Sequence, residues 1–387
     1  MLALCCLPVG SSCERVDITP KPSTETVYVD KSEVAMILGN ARLENCHIRE
    51  VFDAVSASTG NGYDEEYTLR NIFDKPGSGV GEEYLNEEAK AQAKASDYST
   101  PLRDIFIEHF SQQTKSGGSI TAEEYLDYLR SSDFQIYWPY SENWDGNSLP
   151  VITFAPDNNA ATNTGWYMDP DGQLHEVEVS EELAQKRPVW IINNNEDGLF
   201  TTLDIYKKNN PEWAEGGSIV IGPKTRTSTS ELKTLILKDF TAKRNYDYWW
   251  QGASEFWVKI GSVENFRAST EAELKLYDPN ITDFVVVVRR KEVGIPLALN
   301  TVLVSEWTDQ LENCALMIVE DDGGTVNNWN CTAMVKYNSK SYGFEINIPY
   351  KSKDDIVWRG QLSRRYIESN QNVNGYFGDV MATFSIM

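Results

Sequence analysis

At Ser132 the chain changes its period. Before it, apolar residues recur at helix spacing, first as Val34, Ala35, Ile37 and Leu38, then as Ile48, Val51, Phe52 and Val55. Such stripes mark amphipathic helices with one buried face. Further helices are predicted over Glu82 to Ala95 and Pro101 to Phe110. A Thr121-x-x-Glu124 capping box opens another from Ala122 to Arg130, with Tyr125, Leu126 and Leu129 on one face. After Ser132 the apolar runs shorten to strand length: Phe134 to Trp138, Val151 to Phe154, Trp166 to Met168, Leu174 to Val179 and Val189 to Ile192. Turn clusters such as Asp169-Pro170-Asp171-Gly172 and Asn193 to Gly198 separate them.

The strand pattern continues through Leu235 to Leu237, Glu255 to Ile260, Phe284 to Arg289, Thr301 to Val304, Phe344 to Ile348 and Ala382 to Ile386. Phe284-Val285-Val286-Val287-Val288 reads as a central strand covered on both faces. The expected fold is α+β, a helical N-terminal region followed by two β-rich domains. Strand spacing suggests a sandwich or small barrel for the middle region and an antiparallel β-sandwich for the last. The expected boundaries are 1–13 for a leader, 14–30 for a linker, 31–132 helical, 133–230 β-rich and 231–387 sandwich. Glu212 to Arg226 is the polar connector, with the second junction near Ser228 to Glu231. Asn61 to Gly81, rich in glycine, reads as a structured loop.

The chain has 387 residues and a net charge of −23. Nucleic acid and anionic membrane surfaces need clustered Lys and Arg, so both are excluded as expected partners. No run approaches the ~18 apolar residues of a membrane span. His47, His109 and His175 stand far apart, which argues against a two-histidine zinc helix.

Met1 to Val9 is apolar, and Gly10, Ser11 and Ser12 place small side chains before Cys13. That order predicts a lipoprotein-type leader with Cys13 as the lipidated residue, hence export. Cys314 and Cys331 flank the turn Asp321-Asp322-Gly323-Gly324. If Asp322 and Gly323 form a two-residue hairpin turn, the cysteines face each other at a non-hydrogen-bonded pair, about 4.5 Å apart at Cα. The expectation is a Cys314–Cys331 disulfide, which an exported protein can keep.

Phosphate-loop, EF-hand and nucleophile-elbow patterns all fail. Pro223 intrudes between Gly222 and Lys224, Asp169-Pro170-Asp171-Gly172 lacks the further ligand positions, and Gly252-Ala253-Ser254-Glu255-Phe256 lacks the second glycine. Two chemistries remain. The acidic loops Glu320-Asp321-Asp322 and Asp354-Asp355 offer hard oxygens for calcium. The rings of Trp138, Tyr140, Trp144, Trp249 and Trp250 lie beside amide and carboxylate side chains, as a sugar-stacking surface would.

Gly62-Tyr63-Asp64-Glu65-Glu66-Tyr67, Gln135-Ile136-Tyr137-Trp138-Pro139-Tyr140-Ser141-Glu142, Gly252-Ala253-Ser254-Glu255-Phe256 and Asp354-Asp355-Ile356-Val357-Trp358-Arg359-Gly360, behind the Ser-Ser-Cys leader, resemble an uncharacterised exported lipoprotein family of Gram-negative gut anaerobes. The resemblance implies a cell-envelope location, periplasmic or at the outer-membrane surface, with a lipid anchor as the only membrane contact, and no particular activity. The placement of the Asp loops also resembles C2-like calcium-binding sandwiches. The expected function is a binding or interaction module for calcium or glycan, its partner a glycan or another envelope protein. The alternatives are an envelope glycan hydrolase acting through two carboxylates and a structural assembly subunit.

Overall fold

A computed structural model describes residues 29–60, 64–69, 101–115 (side chains to 112), 121–195 and 233–387. The leader with Cys13, most of the linker and the loop, the Glu82 to Ala95 helix and the polar connector lie outside the described residues.

Among the described residues, four helices precede the main run of strands: α1 (Lys31–Gly39), α2 (Asn45–Gly60), α3 (Pro101–Lys115) and α4 (Ala122–Ser131). The predicted capping box is present on α4. Thr121 Oγ1 accepts from Glu124 N at 3.3 Å, and Glu124 Oε2 accepts from Thr121 N at 2.9 Å. Two orphan amides of the first turn are thereby satisfied.

Strands β1 (Glu66–Thr68), β2 (Phe134–Tyr137), β3 (Val151–Phe154), β4 (Asn163–Met168), β5 (Leu174–Val179) and β6 (Val189–Asn194) form one sheet in the order β1-β2-β6-β3-β4-β5. All neighbours are antiparallel except β3 and β6. Among the described residues the strands of the middle region therefore lie in one mixed sheet, where strand spacing suggested a sandwich or small barrel.

Its two faces are covered differently, and alternation along each strand decides which residue goes where. Ile136, Trp138, Ile152, Trp190 and Ile192 join Val34, Leu38, Ile48, Val51, Phe106, Tyr125 and Leu129 from the helices in one core. Tyr137, Val151, Val189 and Ile191 point to the other face and pack with Trp249 and Trp250, which arrive from the C-terminal half. Burial on both faces explains why Val189 to Ile192 reads as an unbroken apolar run. The helices and the sheet share a core that runs across position 132.

Residues 233–387 form two antiparallel sheets. One, ordered β10-β7-β16-β15, contains β7 (Lys233–Ala242), β10 (Leu297–Trp307), β15 (Asn374–Phe377) and β16 (Val380–Ile386). The other, ordered β13-β12-β11-β8-β9, contains β8 (Ser254–Ser262), β9 (Asn280–Val288), β11 (Leu311–Glu320), β12 (Val326–Tyr337) and β13 (Lys340–Lys351), with β14 (Asp355–Ser363) also on β11. They enclose a core that includes Leu237, Phe240, Phe256, Ile260, Leu316, Ile318, Ile348 and Phe384, as expected of a sandwich.

Two details differ from the sequence reading. Phe284 to Val288 is buried on both faces, but β9 stands at the end of its sheet's strand order, not at the centre. Strands β11 and β12 pair only at Leu311–Val335 and Asn313–Met334, because β8 and β14 hold the two edges of β11 from Ala315 to Glu320. Cys314 therefore faces Leu362 and Cys331 faces Ile346. Both are free thiols and the expected disulfide is absent; burial pushes the Cys314 thiol well above its usual range.

Candidate metal centre

The loop between β7 and β8 turns back on itself at Ser254. Its hydroxyl accepts from the amides of Tyr246 and Asp247 at 2.8 and 3.4 Å and donates to Asp247 Oδ2 at 3.0 Å. Arg290 Nη2 donates to the Asp247 carbonyl at 2.6 Å. These bonds aim the Asp247 carboxylate at the end of the larger sandwich sheet. There β8 supplies Glu255, and β11 ends at Glu320, which pairs with Phe256 on one side and Asp355 on the other.

Asp247, Glu255 and Glu320 each place a carboxylate oxygen within 4.8 Å of the other two. Oxygens bound to calcium lie at about 2.3–2.6 Å, so two ligands on opposite sides of one ion are about 4.8 Å apart. A single ion can touch all three. Glu320 is 1% exposed, and neither of its oxygens meets a hydrogen-bond donor among the described residues. Burial, then the neighbouring Asp247, pushes its acid dissociation up to about 11. A pair of carboxylates this close is stable only if it shares a proton or a cation.

The first half closes over the same spot. Asp64, Glu66 and Gln135 line a cavity of about 10 Å³ together with Asp247, Gln251, Ala253 and Glu255, close to the space one water-sized occupant needs. Asp64 Oδ2 accepts from Ala253 N at 2.8 Å. Its Oδ1 is buried and unpartnered among the described residues, as is Gln135 Oε1. The orphaned atoms on this cavity and at Glu320 behind it are all oxygens, and what oxygens lack is a positive charge or a donor. Burial raises the Asp64 carboxyl, partly offset by the amides it accepts from and by Arg289 and Arg290. Beside it, burial and Asp64 push Glu65 up to about 9, while Lys291 Nζ lies 3.9 Å from Glu65 and 2.7 Å from Glu142.

Of the acidic residues singled out from the sequence, only Glu320 belongs to this cluster. Asp321 is neutralised, with Lys351 Nζ donating to its oxygens at 2.8 and 2.7 Å and Trp257 Nε1 at 3.1 Å. Asp354 accepts from the amides of Asp322 and Lys351, so it ties the loop together. Asp355 is exposed. Asp247 and Glu255, the carboxylates that sequence reasoning missed, are remote from Glu320 along the chain; the β8–β11 pairing and the loop before β8 bring them to it.

The aromatic residues singled out from the sequence do not make a stacking surface. Trp138 is buried at 1% exposure among Phe52, Trp144 and Trp190. Trp249 and Trp250 are buried in the seam, where their indole nitrogens donate to the carbonyls of Ala161 and Ala160 at 3.2 and 2.7 Å. Trp144 is held by Ser148 O and covered by the Arg49 guanidinium. Tyr140 bonds Glu181 and Gln185. These rings are occupied by the protein's own packing.

Comparison with protein families, with curated proteins and with solved structures finds no match to this chain.

Proposed function

We propose that this is an exported cell-envelope protein that binds a hard divalent cation, calcium by preference, between its α+β half and its sandwich. The observation that carries the reading is the convergence of Asp247, Glu255 and Glu320 on one point, with both oxygens of the buried Glu320 unpartnered. All-oxygen carboxylate donors suit calcium or magnesium and exclude the soft metals that prefer sulfur and imidazole. Carboxylates projecting from separate strands and a loop suit the irregular coordination of calcium better than the strict octahedron of magnesium. Export is supported by the Gly10-Ser11-Ser12-Cys13 leader and the resemblance to envelope lipoproteins, and it would expose the site to a calcium-rich medium.

At these carboxylates neither a glycan nor a glycan hydrolase fits as well; the wider cleft, about 380 Å³ along β4 and β5, holds none of the three. Pockets that take organic ligands run to about 300–1,000 Å³, far above the cavity beside these carboxylates.

Isothermal calorimetry and thermal melts with calcium, with magnesium as competitor, test the reading. Extracellular calcium sites bind at about 10⁻⁴–10⁻³ M. A ligand at about 100 times its Kd stabilises the native state by about 2.7 kcal/mol, a shift of a few degrees at ten millimolar or so. Glu320→Gln, which keeps the shape and removes the charge, should abolish the shift without lowering the melting point in chelator. Absence of heat and of any shift with the native chain would sink the reading.

A further inference from the structure

The acceptors around the cavity come from both halves of the molecule. Asp247, Glu255 and Glu320 belong to the sandwich, whereas Asp64, Glu66 and Gln135 belong to β1, β2 and the residues before them. Resting on the cation reading above, we infer that an ion on the three sandwich carboxylates clamps the halves together through a bound water in the cavity, with Asp64 and Gln135 as the water's contacts on the α+β side, so that loading the site stiffens their docking.

Three observations lead there. Asp64 and Gln135 are 5% and 4% exposed, and each keeps one unpartnered oxygen among the described residues. Buried acceptors are nearly always satisfied, so an orphan pair on one wall of a cavity calls for an occupant. Second, the other oxygen of Asp64 is already fixed across the seam on Ala253 N. The free oxygen is thus held in place for a ligand and costs little further ordering on binding. Third, the wall opposite is the carboxylate cluster, and Glu320 behind it has no donor of its own. Asp64 is not among the carboxylates that meet within 4.8 Å, so an ion on Asp247, Glu255 and Glu320 reaches the α+β side through a water held in the cavity. The two protons of that water match the two free oxygens, Asp64 Oδ1 and Gln135 Oε1, and its oxygen faces the ion.

The consequence is a thermodynamic linkage. If the docked arrangement binds the ion more tightly than the sandwich alone, the ion must favour docking by the same factor. Calcium would then order segments of the α+β half that lie in sequence far from Asp247 and Glu320.

Hydrogen exchange on the full chain, with and without millimolar calcium, reads this directly. Calcium should slow exchange in 247–256 and 316–321 and also in 64–69 and 134–138. The last two include the Glu66 and Trp138 amides, which donate to Asp64 O and Glu65 O at 2.9 and 2.8 Å. Asp64→Asn keeps an oxygen for Ala253 N and removes the charge. It should weaken calcium binding severalfold, since it removes a negative charge beside the ion, and should erase the calcium effect on 64–69 and 134–138. Gln135→Leu removes an acceptor that has no partner among the described residues. It should fold as the native chain does and weaken binding severalfold. If calcium gives heat but protects only 247–256 and 316–321, and Asp64→Asn binds as tightly as the native chain, the clamp is overturned and the cation site stands as a property of the sandwich. No heat with the native chain overturns both.

Discussion

Asp64 and Gly252 show how a single backbone choice holds the seam. Gly252 has φ +124°, a conformation side-chain-bearing residues rarely adopt, and a Cβ built there would sit 2.5 Å from Asp64 Oδ2. Both the dihedral and the space therefore require glycine. Gly252→Ala would have to twist the loop or drive the Asp64 carboxylate off Ala253 N. Backbone strain of this kind costs about 1–3 kcal/mol, and the hydrogen bond to a charged acceptor adds to it. Equilibrium unfolding in urea should show a loss of at least that size; a variant within about 0.5 kcal/mol of the native chain, the range of neutral surface changes, would show that the seam does not depend on this contact. The same scale explains a failure of sequence reading. Asp321 and Glu320 are neighbours with the same chemistry, yet one meets Lys351 and the other meets two carboxylates. Nothing in the local sequence distinguishes them.

At the scale of elements, what could be read was what is local. The Thr121–Glu124 cap, the helix stripes and the alternation on β2 to β6 are set within a few residues of each other, so period and spacing reveal them. The β11–β12 register could not be read. The Asp-Gly turn signal is local, but β8 and β14 hold both edges of β11 from Ala315 to Glu320, and that competition involves strands over thirty residues away. Another non-local device joins α2 to α3. Glu50 on α2 accepts from Leu102 N at 2.9 Å, in the first turn of α3 behind Pro101, and from Tyr67 OH at 3.5 Å. Burial outweighs these bonds and raises the Glu50 carboxyl to about 7. An acid whose folded value lies above its unfolded one binds more protons when folded, so its stabilising contribution is complete below pH ~4.5 and is lost as pH rises toward 7. Glu50→Gln can still accept from Leu102 N and has no proton to lose. Urea unfolding at pH 5 and pH 8 should show a smaller decline for the variant than for the native chain; equal declines would mean that Glu50 titrates as it does in the unfolded chain.

The whole molecule depends on a sheet with two different coverings. Helices α1 to α4 protect one face of the β1–β6 sheet, and the other would present Tyr137, Val151, Val189 and Ile191 to water if the sandwich did not bring Trp249 and Trp250 onto it. The clustering of these Tyr and Trp rings was visible in the sequence, but as a possible ligand surface. Its true use, one half packing on the other, appears only when both halves are folded. Trp250 is 1% exposed. Its ring lies against Trp249 with centroids 3.7 Å apart, its indole nitrogen donates to Ala160 O, and its carbonyl accepts from Asn193 Nδ2 at 3.0 Å. Trp250→Ala removes ring and donor together and leaves the apolar face of the sheet partly uncovered. Large-to-small changes of this kind cost about 3–5 kcal/mol. Because each half keeps its own core, the loss should fall on docking, and scanning calorimetry should resolve two transitions where the native chain shows one. Calcium at the seam would still join the halves beside the Asp64–Ala253 bond, so it should draw the two transitions back together in Trp250→Ala. One sharp transition, less than 1 kcal/mol below that of the native chain, would show that the halves are held by something other than this pair of rings and the acidic seam beneath it.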